Sequence, residues 1–325
     1  MTTSFSNSPY FHYLLHFLLL SPTISTWAFS TASKAALTAT SDIAVIGVGV
    51  LGTSLCRQLL DDEAFSSRIV TGITKSSCRH DDIRSQFSKD DRFVLTTMEE
   101  LISQYSGHTF KDVVFCAPPS GFENYAQAVK DAAAQLWSGP SDGGTFVFTS
   151  SGGVYEGIDG EIVNEESATI DPEENPRQGR IVYAEKEVIE SGGCVLRLAG
   201  LYTLERGAHN YWLEKCPDGV AGREDGIVNL LHYDDAASAC AAALRVGAAV
   251  TARKTFLISD GNPTTRKGIC ESALQSKRYS DFSMPTFLGP AHGLKGKVYD
   301  GTKSNEILNW KATYISFDEF MSSMS

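Results

Sequence analysis

The segment DIAVIGVGVLGTSLCRQLL, residues 42–60, decides the fold of this chain. Residues 43–46 are apolar over the length of a strand, and residues 53–60 have the pattern of a helix. Between the two lie three glycines in GxGxxG spacing: Gly47, Gly49 and Gly52. A strand, a glycine turn and a helix in this order are typical of a dinucleotide-binding unit.

The three glycines have different predicted roles. Gly47 makes the tight turn, Gly49 lets the backbone approach a pyrophosphate, and Gly52 lets the helix pack close to its strand. The backbone N–H groups of Val50 and Leu51 come next, and the positive end of the helix dipole faces the same anion. The segment therefore predicts a nucleotide site, and a merely structural glycine turn is the alternative.

Length and charge limit the class of protein. The 325 residues suit one large α/β unit or two small ones. A net charge of −11 and a pI near 5.1 argue against a general nucleic-acid surface. Seven cysteines without a CxxC pair predict free thiols, and we expect no disulfide framework and no metal site.

The first forty residues have the composition of a targeting leader. Residues 10–20 form an apolar run that is short for a membrane span, and a small-residue site follows at residues 26–28. Residues 29–40 are mostly Ser, Thr and Ala. This order resembles the two-part signal and transit leader of algae whose plastids have extra membranes. It predicts cleavage before Phe29 and delivery to the plastid stroma; secretion or a membrane anchor is the alternative.

After the leader, apolar strands alternate with helical segments. This rhythm predicts an α/β fold with a doubly wound parallel sheet, the Rossmann arrangement. We expect a dinucleotide-binding domain over residues 41–200. Residues 201–325 are predicted to form a small substrate subdomain interleaved with the last sheet strands, and no membrane span is expected beyond the leader. The later strands are predicted at residues 68–73, 93–95, 112–117, 145–149, 195–199 and 255–259.

The end of the second strand predicts the choice of cofactor. An NAD site usually has Asp or Glu there, about 20 residues past the glycines, to bond the ribose hydroxyls. This chain has Thr74, Lys75 and Ser76 instead, with Arg79 close behind. A 2′-phosphate would be repelled by a carboxylate and held by these cations, so NADP(H) is predicted over NAD(H). Solvated loop cations are the other interpretation.

The fourth strand ends in a rigid loop. Ala117, Pro118 and Pro119 follow its apolar residues. The carboxyl ends of the strands are where cofactors bind in such sheets. These three residues are therefore predicted to line the cofactor site.

Four motifs in the right order resemble a known superfamily. FTSSGGVYEG at residues 148–157, LRLAGLY at 196–202 and VNLLHYDDAA at 228–237 follow the glycine motif. Together they resemble the extended short-chain dehydrogenases/reductases, the NAD-dependent epimerase/dehydratase group, and within it an atypical branch. The resemblance implies an NADP-dependent oxidoreductase or epimerase-like enzyme acting on a small polar or sugar-related molecule.

In that superfamily a Ser or Thr, a Tyr and a Lys form the catalytic set. By its motif the Ser position falls on Ser151, and Tyr155 nearby is a candidate substrate contact. The YxxxK motif is missing, because Glu187 stands four residues after Tyr183. One match of the motif puts its two positions on Arg177 and Ile181, and a gapless count from Tyr155 puts them on Pro176 and Arg180.

A rebuilt relay is one alternative for catalysis. Tyr183 and Lys186 are three residues apart and share a helix face, although a core tyrosine with a solvated lysine is the plainer interpretation. Arg177 or Arg180 could instead contact an anionic substrate or the cofactor phosphates. Candidate substrate contacts on a later loop are Arg206 and His209.

Other charged residues have predicted structural roles. A buried arginine needs a partner, so Arg197 in the sixth strand is expected to bond an acidic residue or loop carbonyls. Asp234 or Asp235 is expected to cap a helix that begins at Ala236.

Two further classes of function remain open from the sequence. The missing tyrosine favours a cofactor-binding regulator that has lost catalysis. Atypical members of the superfamily also include RNA-binding plastid proteins, but the acidic pI argues against nucleic acid as a partner here.

Overall fold

The computed structural model describes residues 42–104, 107–157, 159–290 and 292–325, which belong to one compact unit. The predicted leader, residues 1–40, lies outside the described residues. The sequence also predicts a helix over residues 98–105, and its expected last residue, Tyr105, lies outside the described residues too.

The described residues form thirteen strands and eleven α-helices. The strands are β1 (Ile43–Ile46), β2 (Val70–Thr74), β3 (Phe93–Thr97), β4 (Asp112–Phe115), β5 (Phe146–Ser151), β6 (Glu161–Val163), β7 (Cys194–Leu198), β8 (Gly200–Tyr202), β9 (Ile227–Val228), β10 (Leu230–His232), β11 (Thr255–Ile258), β12 (Thr264–Thr265) and β13 (Lys297–Tyr299). The helices are α1 (Val50–Asp61), α2 (His80–Gln86), α3 (Met98–Gln104), α4 (Tyr125–Leu136), α5 (Pro176–Ser191), α6 (Ala208–Lys215), α7 (Tyr233–Val246), α8 (Ala248–Thr251), α9 (Arg266–Gln275), α10 (Thr302–Leu308) and α11 (Phe317–Ser322).

Seven of the strands make one parallel sheet in the order β11-β7-β5-β4-β1-β2-β3. The chain runs outward from β1 through β2 to β3, then crosses to β4 on the other side and continues outward from there. The strand order therefore reverses between β1 and β4, which is where ligands bind in such sheets. The predicted doubly wound α/β fold is confirmed.

Helices cover both faces of the sheet. On one face α1 and α7 pack on a cluster that includes Val45, Leu55 and Leu244. On the other face α4 and α5 pack on a cluster that includes Phe148, Val129 and Val188. Neither face of the sheet meets water, so its inner strands are continuously apolar. Such apolar runs are what predicts these strands from the sequence.

The C-terminal part has a smaller aromatic core. Tyr202, Tyr279, Phe317 and Phe320 are fully or almost fully buried there. The short strands pair as β8 with β10, β9 with β12 and β6 with β13. Strand β11 follows residue 200 in the chain, yet it belongs to the same main sheet as the six strands that precede residue 200. The division of the chain at that residue therefore stays a prediction.

One predicted helix boundary is wrong. Helix α7 begins at Tyr233 and not at Ala236, and its N-cap is His232, whose ring nitrogen Nδ1 accepts from the Asp234 N–H at 3.2 Å. Asp234 and Asp235 lie inside the first turn, where their carboxylates are free to bond other segments.

Candidate functional site

The glycine turn has the geometry that its spacing predicts. Gly47 has φ +100°, and a Cβ on it would lie 2.5 Å from the Ala117 nitrogen. A Cβ on Gly52 would lie 2.3 Å from the Gly47 oxygen, so this glycine allows the helix to approach its strand. A Cβ on Gly49 would meet none of the described atoms within 4 Å. The open side of Gly49 fits a pyrophosphate.

The N-terminus of α1 suits an anion. Gly49 is the N-cap and offers no side-chain hydrogen bond, and the first turn contains no acidic residue. The first N–H groups of a helix, here those of Val50, Leu51 and Gly52, have no partner within the helix. These amides and the helix dipole are the groups that would hold a cofactor phosphate.

The predicted cations lie at the end of β2. Lys75, Ser76 and Arg79 are exposed, and no carboxylate occupies residues 74–80. The Lys75 ammonium donates to the Gly121 oxygen at 3.0 Å, and the Ser76 hydroxyl lies 3.2 Å from the Cys78 sulfur. These groups are accessible to a ligand beside the glycine turn.

Thr74 is partly buried, unlike the exposed residues 75–79 that follow it. Its hydroxyl lies 2.7 Å from His80 Nε2 and 3.0 Å from the Ser76 oxygen. Burial lowers the pKa of His80, and the tautomer of its ring sets which group donates in the contact with Thr74. Thr74 therefore orders the turn that presents the cations.

The loop after β4, residues 117–122, is called the wall segment here. The hydroxyl of Tyr125 donates to the Ala117 oxygen at 2.9 Å. The Arg180 guanidinium donates to the oxygens of Pro119, at 2.7 Å, and Phe122, at 2.8 Å. Nη2 of Arg180 is thus used by backbone carbonyls, and a contact of Arg180 with substrate stays a prediction.

Ser151 is at the carboxyl end of β5, where its motif predicts it. Its hydroxyl is half-buried and accepts from the Gly153 N–H at 3.1 Å. A Cβ on Gly153 would lie 3.0 Å from Gln178 Oε1, and one on Gly152 would lie 2.7 Å from the Tyr299 hydroxyl. Gln178 and Tyr299 are thus neighbours of this loop that the sequence analysis missed.

Behind Ser151 lies a buried polar cluster. The hydroxyl of Ser150 donates to Glu185, and Arg197 donates to the same carboxylate through Nη2 at 2.7 Å. The structural role predicted for Arg197 is confirmed. The Arg197 guanidinium is 4.5 Å from the centre of the Tyr155 ring, and Tyr155 is 1% exposed. The prediction of Tyr155 as a substrate contact is wrong, because no ligand can reach it.

Tyr183 and Lys186 lie on the outer face of α5. The Tyr183 hydroxyl donates to Glu173, which raises the pKa of this tyrosine. The Lys186 ammonium is 3.9 Å from Glu190, and its side chain is 70% exposed. The structure does not bring either residue to Ser151, and a relay built on them stays a prediction.

The candidates beyond residue 176 are not brought together. Arg177 and Arg206 are exposed. His209 has 0% exposure, lies against the rings of Tyr279 and Phe317, and donates from Nε2 to the Leu204 oxygen at 2.9 Å. Burial lowers its pKa. The prediction of His209 as a substrate contact is wrong, because the small core encloses its ring.

The two aspartates of α7 fix neighbouring segments. The Ser54 hydroxyl donates to Asp234 at 2.5 Å, which joins α7 to α1. Asp235 accepts from the N–H groups of Thr313, at 2.8 Å, and Tyr314, at 2.9 Å. The Asp235 bonds thus hold the C-terminal segment on α7.

Comparison with known proteins identifies the fold. No family model and no curated protein matches the chain. Among solved structures, dTDP-glucose 4,6-dehydratase from Bacillus anthracis, in complex with NAD, is 14% identical with a TM-score of 0.64, covering 87% of this chain and 95% of the other. The chain has the fold of the epimerases and dehydratases. UDP-N-acetylglucosamine 4-epimerase from Bacillus cereus is 16% identical with a TM-score of 0.59, covering 87% and 98%.

A second epimerase of this fold is also similar to the chain. UDP-glucose 4-epimerase from Stenotrophomonas maltophila, with bound NAD and formylated UDP-arabinopyranose, is 14% identical with a TM-score of 0.62, covering 87% of this chain and 96% of its own.

In the part of the chain that the structure describes, no three His, Cys, Asp or Glu side chains lie close enough together to bind a metal ion. In the same residues, no helix is long and apolar enough to cross a bilayer.

Proposed function

We propose that the chain is an NADP(H)-preferring oxidoreductase or epimerase-like enzyme acting on a small polar or sugar-related molecule. The observation that carries the proposal is the open side of Gly49 at the uncapped N-terminus of α1. Ser151, at the end of β5, lies two strands away along the same edge of the sheet. A dinucleotide laid along this edge would reach from the glycine turn toward that hydroxyl.

The exposed cations support the preference for NADP(H). Lys75 and Arg79 extend from the end of β2, where a site for NAD commonly has a carboxylate. A 2′-phosphate adds about two negative charges, which an ammonium and a guanidinium would neutralise and a carboxylate would repel. Ser76 can add a hydroxyl donor.

The reaction needs a hydride transfer, a hydrogen bond to the substrate oxygen and a proton. A bound nicotinamide supplies or accepts a hydride. Ser151 would donate a hydrogen bond from its hydroxyl to the substrate oxygen and so stabilise the negative charge that develops there. The proton that completes the reaction would come from water beside Ser151 or from the hydroxyl itself, because Tyr183 is directed to Glu173.

The oxidation of NADPH by a panel of aldehydes, ketones and nucleotide sugars tests this proposal. We expect turnover with at least one carbonyl compound, and turnover lower by about 10² to 10⁴ in Ser151→Ala. Lys130→Met serves as a control, because Lys130 lies on α4 and pairs with Glu187 at the surface. Tight NADPH binding without turnover of any compound would favour the second candidate function.

The second candidate is a cofactor-binding regulator without catalysis. The observation that favours it is that the described contacts place no tyrosine of α5 beside Ser151, since Tyr183 bonds Glu173. A third candidate, an RNA-binding protein, has a net charge of −11 against it. Titration with single-stranded RNA at two salt concentrations separates the third candidate from the others.

We further propose that residues 1–40 direct the protein to a plastid. Their composition, an apolar run and then a Ser, Thr and Ala segment that begins at Phe29, supports the proposal. Fused to a fluorescent protein in an alga whose plastids have extra membranes, they should deliver it to the stroma. Phe29→Ala should stop import before the last step, and secretion of the unaltered fusion would contradict the proposal.

A further inference from the structure

The wall segment, residues 117–122, borders the glycine turn. Ala117 is the residue that a Cβ on Gly47 would strike, at 2.5 Å from its nitrogen. From there the segment reaches the end of β2, because the Gly121 oxygen accepts from Lys75. The Lys75 side chain therefore links the segment to the end of β2, and β1 lies between β4 and β2 in the sheet, beside the place predicted for the cofactor.

The segment has little to hold it from within. Pro118 and Pro119 have no N–H group. Its internal hydrogen bonds are two turn contacts, from Gly121 N to the Pro118 oxygen at 3.2 Å and from Phe122 N to the Pro119 oxygen at 3.1 Å. Its shape therefore depends on side chains from other elements.

Three side chains supply those contacts. Tyr125 of α4 bonds the Ala117 oxygen, Lys75 bonds the Gly121 oxygen, and Arg180 of α5 bonds two oxygens at once. Among the described residues, no carboxylate lies within ion-pair distance of Arg180. Its guanidinium instead lies 5.8 Å from the centre of the Tyr125 ring. The charge of Arg180 is therefore directed at the wall segment.

Lys75 and Arg180 differ in what a bound cofactor would do to them. Lys75 is exposed at the end of β2, and a 2′-phosphate there would compete with the Gly121 oxygen for its ammonium. Arg180 is half-buried under the segment, on the side of α5, and its bonds would persist. With NADPH bound, Arg180 would be the one cation that still bonds the carbonyls of the segment. With NADH bound, both Lys75 and Arg180 would bond them.

We propose that Arg180 is a positioning residue of the cofactor site. It holds the wall segment in the shape that the dinucleotide meets, and its importance is greater for NADPH than for NADH. This inference rests on the proposed binding of both dinucleotides at the glycine turn. Helix α5, which lacks the YxxxK motif, thus acts on the cofactor through a backbone loop.

The test compares Arg180→Met and Arg180→Lys with the unaltered full-length protein. Methionine keeps much of the apolar stem and removes the donors, and lysine restores a charge on a nitrogen one atom closer to the backbone than Nη2, the atom that makes both bonds. Lys130→Met is the matched control, because it removes a 2.8 Å contact between α4 and α5 away from the wall segment. Three quantities are measured: amide exchange of Gly121 and Phe122, the Kd of NADPH and NADH, and the melting temperature without cofactor.

In Arg180→Met we expect faster exchange of both amides and a rise of about tenfold in the Kd of NADPH, the size of one lost charged hydrogen bond. The Kd of NADH should rise less. Arg180→Lys should fall between, and Lys130→Met should match the unaltered protein. If Arg180 acted on stability alone, Arg180→Met would lower the melting temperature and leave the ratio of the NADPH Kd to the NADH Kd unchanged. That result would overturn the inference. If the unaltered protein bound neither dinucleotide, the proposed function itself would be refuted. If the amide exchange of Gly121 and Phe122 were unchanged in Arg180→Met, the role of Arg180 in holding the wall segment would be refuted separately.

Discussion

Glu185 on α5 and Arg197 on β7 form a buried ion pair, with Arg197 Nη2 2.7 Å from Glu185 Oε2 and Nε 3.1 Å from Oε1. The two side chains are only 9% and 7% exposed, Arg197 first. The Ser150 hydroxyl donates to the same carboxylate, next to the candidate catalytic Ser151. The pair therefore fixes α5 to the strand end that carries the site.

Loss of this carboxylate should be strongly destabilising. In Glu185→Ala a guanidinium remains buried without its partner, and removing one member of such a pair typically lowers the free energy of unfolding by about 3 to 5 kcal/mol. Urea unfolding followed by circular dichroism measures the change. Lys303→Met, which breaks a pair whose side chains are 59% and 75% exposed, is the control and should shift stability by about 0 to 1 kcal/mol. Equal effects in the two variants would be incompatible with a buried pair.

Two neighbouring glycines should respond differently to alanine. Gly49→Ala places its Cβ in open space, so stability should hold, while the Kd of a dinucleotide rises by about tenfold or more because the pyrophosphate is crowded. Gly52→Ala drives its Cβ against the Gly47 oxygen and should lower the free energy of unfolding by about 1 to 3 kcal/mol. Thermal melting and cofactor titration on both variants separate the two effects. Unchanged affinity in Gly49→Ala would contradict a phosphate at this turn.

The two catalytic hypotheses separate by mutation. Because Tyr183 is exposed and bonded to Glu173, Tyr183→Phe should leave turnover unchanged, and Ser151→Ala should lower it by about 10² to 10⁴ without loss of NADPH affinity. Initial rates with the best carbonyl compound, beside a cofactor titration, provide the measurement. A rate loss of that size in Tyr183→Phe, shared by Lys186→Ala, would instead support the rebuilt relay.

Asp260 gives the stability a distinct pH dependence. Its Oδ1 accepts from the Asn262 N–H at 2.8 Å, and its Oδ2 is buried without a hydrogen-bond partner among the described residues. Burial, aided by the charge of Asp235, raises the pKa of Asp260 to about 7. Between its ordinary pKa and this value the native state binds more protons than the unfolded state, so this group lowers stability as the pH rises through that interval.

Asp260→Asn should remove that slope. The amide oxygen can accept the same hydrogen bond and carries no charge, so the variant should exceed the unaltered protein by about 1 to 3 kcal/mol at pH 8 and match it near pH 4. His232 and His209, whose pKa values are lowered by burial, oppose stability as the pH falls below their ordinary value, equally in both proteins. Parallel unfolding curves across pH 4 to 8 in the two proteins would rule out an ionising Asp260.

The glycine turn and the sheet could be predicted because their signals are local. Each role of Gly47, Gly49 and Gly52 follows from residues within one strand and one helix, and the buried strands are continuously apolar. Arg197 was also predictable, since a charge inside a buried strand must have a partner. These are consequences of short-range chemistry.

The failures involve contacts between distant segments. Arg180 meets a loop about 60 residues earlier, His209 is enclosed by Tyr279 and Phe317, and Tyr299 approaches Gly152 from the C-terminal part. Nothing in the local sequence specifies those neighbours. Gln178 did have a signal, because Asn175 followed by Pro176 is a typical helix start and would have placed it in the first turn of α5.

The central claim is a dinucleotide site that prefers NADP(H), and direct titration of the unaltered protein with NADPH and NADH tests it best. Cofactor fluorescence should report binding of both, with NADPH tighter by about tenfold or more. Lys75→Ala should bring the two affinities together, because its ammonium is an exposed cation at the end of β2, where the 2′-phosphate would lie. Equal affinities in the unaltered protein would refute the preference, and no binding of either dinucleotide would contradict the account as a whole.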